Sequence, residues 1–422
     1  MTPMPQSNTL IQDDIVVQPR PLRILQVITS VDPERGGPTT AMWNLLEALH
    51  RREMNVDLVT TGNELEMGST AASMREVVHN GTTVRYFRRQ TQFYHVSLPL
   101  LRWLMTNIRQ YDVVHVHGLF TFAPLVAAWC AWAAKVPYIV RPHGTLNRWG
   151  RERRRPALKR ASLALLEGPI LRHAARVHFA SHSELQQAAE VGIAMQAIVC
   201  PLGIDIAPAA LPEQQQPAGS ADTPDLTVLF LSRIVPIKNL DRLLEAFALV
   251  AREHSNATLV IAGDGPQELV RALHAQAERL ALGAQVRWLG FVHKEHKAGI
   301  LANATLLVLP SASENFGVAV VEAMAAGIPV VVSDGVGIAD IVAESGAGVV
   351  FDGTVEQLAT SIGRLLADAD VCRSMGKAGR RLVAEKLSLE AMGRNLADLY
   401  ASVATTDVRT GQMRSLSHAT EP

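Results

Sequence analysis

Cysteine is nearly absent: 422 residues include only Cys130, Cys200 and Cys372. Their wide separation fits neither a disulfide framework nor a metal-ligand spacing, and implies a reducing compartment. Aromatic residues make up only 5%, and 40 basic residues balance 40 acidic ones. Such totals mark neither a nucleic-acid binder nor a disordered chain. No uninterrupted apolar run approaches the roughly 18 residues of a spanning helix. Residues 1–20 lack the basic-then-apolar order of a signal peptide and read as a disordered tail. These absences lead us to expect a cytoplasmic protein, soluble or peripheral on the inner face of a membrane. There is no G-x-G-x-x-G fingerprint and no G-x4-G-K-[ST] loop, which disfavours nicotinamide dehydrogenases and P-loop enzymes.

What is present is a chain long enough for two or three domains, with 48% apolar residues to build their cores. The balanced charge is unevenly spread. Up to Asp205 there are 22 basic against 16 acidic residues, and after it 18 against 24. The amino-terminal half is therefore the one suited to an anionic surface.

The stretch Leu306 to Asp340 organises the reading. An apolar run, Leu306 to Leu309, stops at Pro310 and is followed by a polar loop. A helical pattern then runs from about Gly317 to Ala326, and Gly327 and Pro329 lead into Val330 to Val332. Short aliphatic runs on either side of a helix predict parallel strands buried on both faces and joined by a right-handed crossover. Ligands of such sheets sit at the carboxyl ends of the strands, where this sequence places Ser311, Ser313, Glu314, Asn315, Phe316 and Gly317, with Glu322 inside the helix. A carboxylate accepts hydrogen bonds from adjacent hydroxyls, while a helix start and bare glycine backbone offer N–H groups to an anion. Two acids at a spacing are equally compatible with solvated helix-start charges.

Glu314-Asn315-Phe316-Gly317 through Glu322-Ala323 resembles the E-x7-E signature of retaining GT-B glycosyltransferases, in particular glycosyltransferase family 4. The resemblance implies that Glu314 meets the donor sugar and Glu322 the ribose of the nucleotide.

Earlier in the chain, Leu22 to Thr29, Val56 to Thr60, Thr83 to Phe87, Val113 to Val116, Tyr138 to Val140 and Val177 to Ala180 read as strands. After the first, Gly36 and Gly37 allow close backbone approach to a ligand or simply a tight turn, and Thr39 is expected to open a helix. His115 and His117 alternate on a strand without an evident third metal ligand. His143 lies in Arg141-Pro142-His143-Gly144, at the carboxyl end of a strand, and is either a site residue or a helix cap. This stretch resembles the H-G motif of the same family, which makes His143 the first catalytic candidate together with Glu314. Arg148 to Arg160 carries seven basic residues, Arg148, Arg151, Arg153, Arg154, Arg155, Lys159 and Arg160, against one acid, Glu152. Headed by Trp149 and followed by leucines, it reads as a patch for a membrane face or a lipid diphosphate, or else as a solvated loop. Ser181 and Glu184 have capping-box spacing. Pro201 to Asp205 is similar to the family's P-x-G-I-D turn, with Leu202 where Asn is frequent.

Residues 207–225 have the composition of a linker. The pattern then restarts: strands at Leu226 to Leu231, Thr258 to Ala262, Val286 to Leu289 and Gly348 to Phe351, and loops at Ser232 to Asn239 and Gly263 to Pro266. Arg233 and Lys238 are placed to hold a diphosphate and to stabilise the charge that grows on it as a sugar departs, and they correspond to the family's Arg and Lys pair. Asp368-Ala369-Asp370 spells a D-x-D triplet but falls between late helices, where it reads as capping.

The resemblance covers about Leu22 to Val403. It implies an α/β protein with two Rossmann-like doubly wound parallel-sheet domains facing a cleft, the GT-B fold. The expected division is 21–206 for acceptor binding, 226–386 for the nucleotide sugar, and 387–404 as a helix returning to the first domain, with a disordered tail at 405–422. A nucleotide-diphosphate sugar is the expected co-substrate, with no cofactor and no obligatory metal. The acceptor is expected to be a hydroxyl of a glycan or lipid-linked glycan in polysaccharide assembly, Gly36 and Gly37 lining the acceptor side of the cleft. A nucleotide-sugar epimerase and a non-catalytic donor-binding subunit remain as alternatives.

Overall fold

The computed structural model describes residues 20–32, 37–62, 73–152, 155–205 and 226–405. The expected linker 207–225 and all of the two expected tails but Arg20 and Thr405 lie outside them. Among the described residues, fourteen strands form two sheets. The first contains β1 (Arg23–Ile28), β2 (Asn55–Gly62), β3 (Met74–His79), β4 (Thr82–Arg88), β5 (Val113–His117), β6 (Tyr138–Arg141), β7 (Arg176–Phe179) and β8 (Ala197–Val199), in the order β3-β4-β2-β1-β5-β6-β7-β8. Only the β3 and β4 pair is antiparallel. The second contains β9 (Leu226–Leu231), β10 (Ala257–Ala262), β11 (Val286–Gly290), β12 (Leu306–Leu309), β13 (Val330–Ser333) and β14 (Gly348–Phe351), all parallel, in the order β11-β10-β9-β12-β13-β14. Both orders reverse beside the first strand of the sheet, and that reversal opens a crevice at the strand ends.

Sandwiching between helices explains the near-continuous apolar runs. Along β1, Ile24 faces one core and Leu25 the other, and both are fully buried. The Leu25 side is filled by the helices Leu98–Asn107 and Phe122–Ala134. The Ile24 side is filled by the helices Gly37–His50 and Leu389–Ala404, and its core is continuous with that of the second sheet. The helix expected to open at Thr39 begins at Gly37.

The last helix starts with Ser388, whose hydroxyl accepts from the Ala391 amide. It then lies on the first sheet's helix Gly37–His50, so closely that a Cβ on Gly393 would stand 2.8 Å from the Ala48 carbonyl. The turn Pro201 to Asp205 is the seam: Ile204 donates to the Leu387 carbonyl at 2.9 Å, and Leu389 donates back to Ile204 at 3.1 Å. Arg51 ties the same corner by pairing with Glu47, Asp205 and Glu390. Asp368 does cap a helix, its carboxylate accepting from the amides of Asp370 and Val371.

Candidate active site

Three loops leave the carboxyl ends of β6, β9 and β12 and meet. After β12 the chain passes through Ser311 to Asn315 into Gly317, whose φ of +99° only glycine adopts without strain. The helix Val318–Ala325 follows, and no side chain caps its start. The loop after β13 is clamped to this segment: Glu314 donates to Gly335 at 2.9 Å, and Gly337 donates to Glu314 at 2.8 Å. Such contact demands glycine, since a Cβ on Gly337 would stand 2.1 Å from the Asn315 carbonyl. With its backbone held, Glu314 extends its carboxylate to the loop after β9.

That loop carries Arg233 and Lys238. Ala312 donates to the Ile237 carbonyl at 2.9 Å, and Asn239 donates through its side chain to Pro310 at 2.9 Å. These bonds bring the Lys238 ammonium onto the Glu314 carboxylate as an ion pair. Lys238 is buried. Burial, with the Arg233 charge behind it, pushes the ammonium down to about 8. Arg233 is exposed and, among the described residues, has no carboxylate partner. The Gly263 to Pro266 loop backs this pair, Ile234 donating to Asp264 at 2.8 Å.

From the first sheet, β6 runs into His143 and Gly144, both left-handed with φ of 54° and 73°. This turn is fixed by Glu184, which sequence spacing assigns to a capping box. Ser181 does cap the helix His182–Ala189, but the Glu184 carboxylate spans the amides of Ala180 at 2.7 Å and Gly144 at 2.6 Å instead of bonding Ser181. The turn touches the β12 loop: a Cβ on Gly144 would lie 2.8 Å from Asn315 Oδ1, and Asn147 reaches Ser313 at 3.5 Å. His143 and Glu314 thus stand on facing loops. His143 is half-buried, and its Nε2 lies 3.0 Å from His117 Nδ1. Burial, then the Arg141 charge, holds its imidazole well below the usual histidine range.

Glu322 points elsewhere, both oxygens 3.0 Å from Lys297 Nζ of the helix Lys294–Ala302. Sequence reading misses Lys297, because nothing in its own helix marks it. Phe316 is 2% exposed in the core, so it offers the cleft only its backbone. Gly37 starts its helix with open space where a Cβ would be, whereas Gly36, Arg153 and Arg154 lie outside the described residues. His115 and His117 are buried among hydrogen-bonding neighbours, and the described residues hold no group of three side chains arranged for a metal.

The basic stretch is less uniform than its composition. Arg148 pairs with Glu152 at 3.0 Å and Arg151 with Glu190 at 3.1 Å. Arg155 lies over the Phe93 ring, 4.6 Å from its centroid, and Lys159 donates to the Gly150 carbonyl at 2.6 Å. Arg160 is exposed. Around them Trp149, Leu158, Leu165 and Leu166 are exposed, while Ile170 and Leu171 further on are buried.

Two family models match. Residues 36–203 match the glycosyl transferase 4-like domain, and residues 213–382 match glycosyl transferases group 1. The chain is a GT-B glycosyltransferase of the family 4 type. The GDP-mannose-dependent α-(1-6)-phosphatidylinositol monomannoside mannosyltransferase of Mycobacterium tuberculosis is 32% identical to this glycosyltransferase over 180 residues, 41% of this chain and 46% of that one. The match thus spans about half the length of such curated relatives. The 2-deoxystreptamine N-acetyl-D-glucosaminyltransferase of Niallia circulans is 24% identical over 398 residues, 87% of this chain and 98% of the relative. In fold, the crystal structure of Anabaena Alr3699/HepE in complex with UDP has a TM-score of 0.71 at 21% identity, covering 90% of this glycosyltransferase and all of that chain.

Proposed function

We propose that this glycosyltransferase moves a hexose from a nucleotide-diphosphate sugar to a hydroxyl of a lipid-linked glycan, with retention at the anomeric carbon. The observation that carries the reading is the convergence of Lys238, Glu314 and the uncapped helix start on the loop that bears His143. Arg233 and Lys238 supply fixed positive charge where a nucleoside diphosphate leaves. Glu314 and His143 face the departing sugar, with Asn315, Phe316 and Gly317 contributing backbone. Glu322, oriented by Lys297, accepts the ribose hydroxyls. No obligatory metal enters, because the cations that stabilise the leaving group belong to the chain. The acceptor named for the mycobacterial relative, a phosphatidylinositol monomannoside, supports a lipid-borne glycan, as does the exposed leucine and arginine face behind Trp149. No described helix is long and apolar enough to cross a membrane.

The test is thermal unfolding against UDP-glucose, UDP-N-acetylglucosamine, GDP-mannose and ADP-glucose without added metal. A ligand of the native state raises the midpoint by mass action, about 2.7 kcal/mol at a hundredfold excess over Kd. One donor is expected to shift the midpoint selectively, and the shift is expected to vanish in Arg233→Ala and Glu322→Ala. A shift that survives both substitutions would place the nucleotide elsewhere. Conversion of the donor alone into an isomeric nucleotide sugar, without acceptor, would make the protein an epimerase.

A further inference from the structure

Six hydrogen bonds run from the cleft through the core of the first sheet to the last helix and back. His143 Nε2 meets His117 Nδ1 at 3.0 Å, His117 Nε2 meets Gln26 Oε1 at 2.8 Å, and Gln26 Nε2 meets Tyr400 Oη at 2.8 Å. Tyr400 Oη meets His115 Nδ1 at 3.0 Å, and His115 Nε2 meets His178 Nδ1 at 3.4 Å. The series ends where His178 Nε2 meets the Cys200 carbonyl at 2.8 Å. Every side chain in the series except His143 is buried to 2% exposure or less.

The far end decides the direction. A backbone carbonyl can only accept, so His178 Nε2 carries a proton. Burial and the nearby Arg141 charge hold His178 down at about 3, and burial drives His115 and His117 well below the usual range as well. A neutral imidazole has one N–H, so His178 Nδ1 accepts and His115 Nε2 donates. His115 Nδ1 then holds a lone pair and takes the Tyr400 O–H. Tyr400 Oη in turn accepts from the Gln26 amide, which turns the Gln26 carbonyl oxygen toward His117 Nε2. His117 donates there and accepts at Nδ1, so the proton between the last two rings belongs to His143 Nε2. The opposite order would set two lone pairs against each other between His115 and His178.

We propose that this relay fixes His143 as the Nε2–H tautomer and presents its Nδ1 as an acceptor, with Tyr400 of the last helix as the positioning residue. The use of that acceptor, for a hydroxyl of the donor sugar, rests on the function proposed above, whereas the tautomer itself is read without substrate. The two can therefore fail separately.

The experiment is two-bond 1H–15N correlation on full-length protein labelled with 15N-histidine, the His143 signals being identified by their loss in His143→Gln. The wild type is expected to show protonated Nε2 and unprotonated Nδ1 at His143. Tyr400→Phe removes the O–H that enforces the direction. It is expected to shift His143 toward the Nδ1–H form by about tenfold in population, the bias of one net hydrogen bond. Should Tyr400→Phe not fold, Gln26→Met interrupts the relay at similar volume and is expected to do the same. An Nδ1–H or doubly protonated His143 in the wild type would overturn the proposal. So would an unchanged tautomer in a folded variant.

Discussion

Lys238 is buried against Glu314, and the proposed function asks it to hold an anion as well, so its ionisation links the observed pair to the proposed role. With its ammonium pushed down to about 8, rising pH neutralises it in the folded protein while the unfolded chain, near the ordinary lysine value of about 10.4, still binds the proton. Between these values the unfolded state holds more protons, so the lysine's contribution to stability rises with pH. Nucleotide affinity should move the other way. Calorimetric titration with the nucleoside diphosphate of the preferred donor is expected to show Kd rising above about pH 8, approaching tenfold per pH unit once the amine is neutral. Lys238→Arg should flatten the profile, because a guanidinium keeps its charge throughout this range. A wild-type Kd unchanged from pH 7 to 9.5 would remove Lys238 from the diphosphate site. At this scale the chain was partly legible: Arg233, Lys238 and Glu314 stand in loops at strand ends, where position alone draws attention, and Glu322, inside the helix Val318–Ala325, is marked by its spacing from Glu314. Lys297, Gln26 and Tyr400 do not, since each gains its meaning from a partner distant in sequence, Tyr400 lying on the last helix and bonding to Gln26 on β1.

Among the elements, the glycines after β13 show how a loop fixes a side chain it does not contain. A Cβ on Gly337 would meet both the carbonyl oxygen of Asn315 at 2.1 Å and its carbon at 2.6 Å. Gly337→Ala must therefore displace the segment that carries Glu314. Overpacking of this kind costs about 1–3 kcal/mol, and urea unfolding is expected to show that loss together with weaker donor binding. Gly346 is the control. Its φ is +68° but a Cβ there meets nothing within 4 Å, so Gly346→Ala should cost stability through backbone strain and leave donor affinity unchanged. Equal effects of the two substitutions on affinity would mean that loop contact does not position Glu314. The strands around these loops were readable because burial on both faces selects aliphatic runs, as in Leu306–Leu309 and Val330–Ser333. β3 was not. It is an antiparallel edge strand, Met-Arg-Glu-Val-Val-His, with Val78 68% exposed, and its pairing with β4 supplies an order that its composition does not signal.

On the scale of the whole molecule, the charge asymmetry and the exposed apolar face coincide. The basic excess lies in the chain up to Asp205, the part that builds the first sheet. Trp149, Leu158, Leu165 and Leu166 are exposed there, in the same stretch of chain as the exposed Arg148, Arg155 and Arg160. Neither property suffices alone: a few leucines give weak partition into a bilayer, and each surface arginine adds about 1 kcal/mol near an anionic leaflet. Together they predict binding that needs both. Sedimentation with vesicles containing phosphatidylglycerol should carry the protein down at low salt and release it as ionic strength rises, because screening shortens the reach of the arginines. Vesicles of phosphatidylcholine alone should not retain it. Leu165→Ser with Leu166→Ser should weaken binding without changing its salt slope, whereas Arg148→Gln, Arg155→Gln and Arg160→Gln together should lower the slope itself. The predicted Glu322→Ala loss of donor binding should leave vesicle binding intact, since that residue lies with the second sheet. Binding that survives the triple arginine substitution would remove this face as the membrane contact and leave the acceptor to be held by the cleft alone.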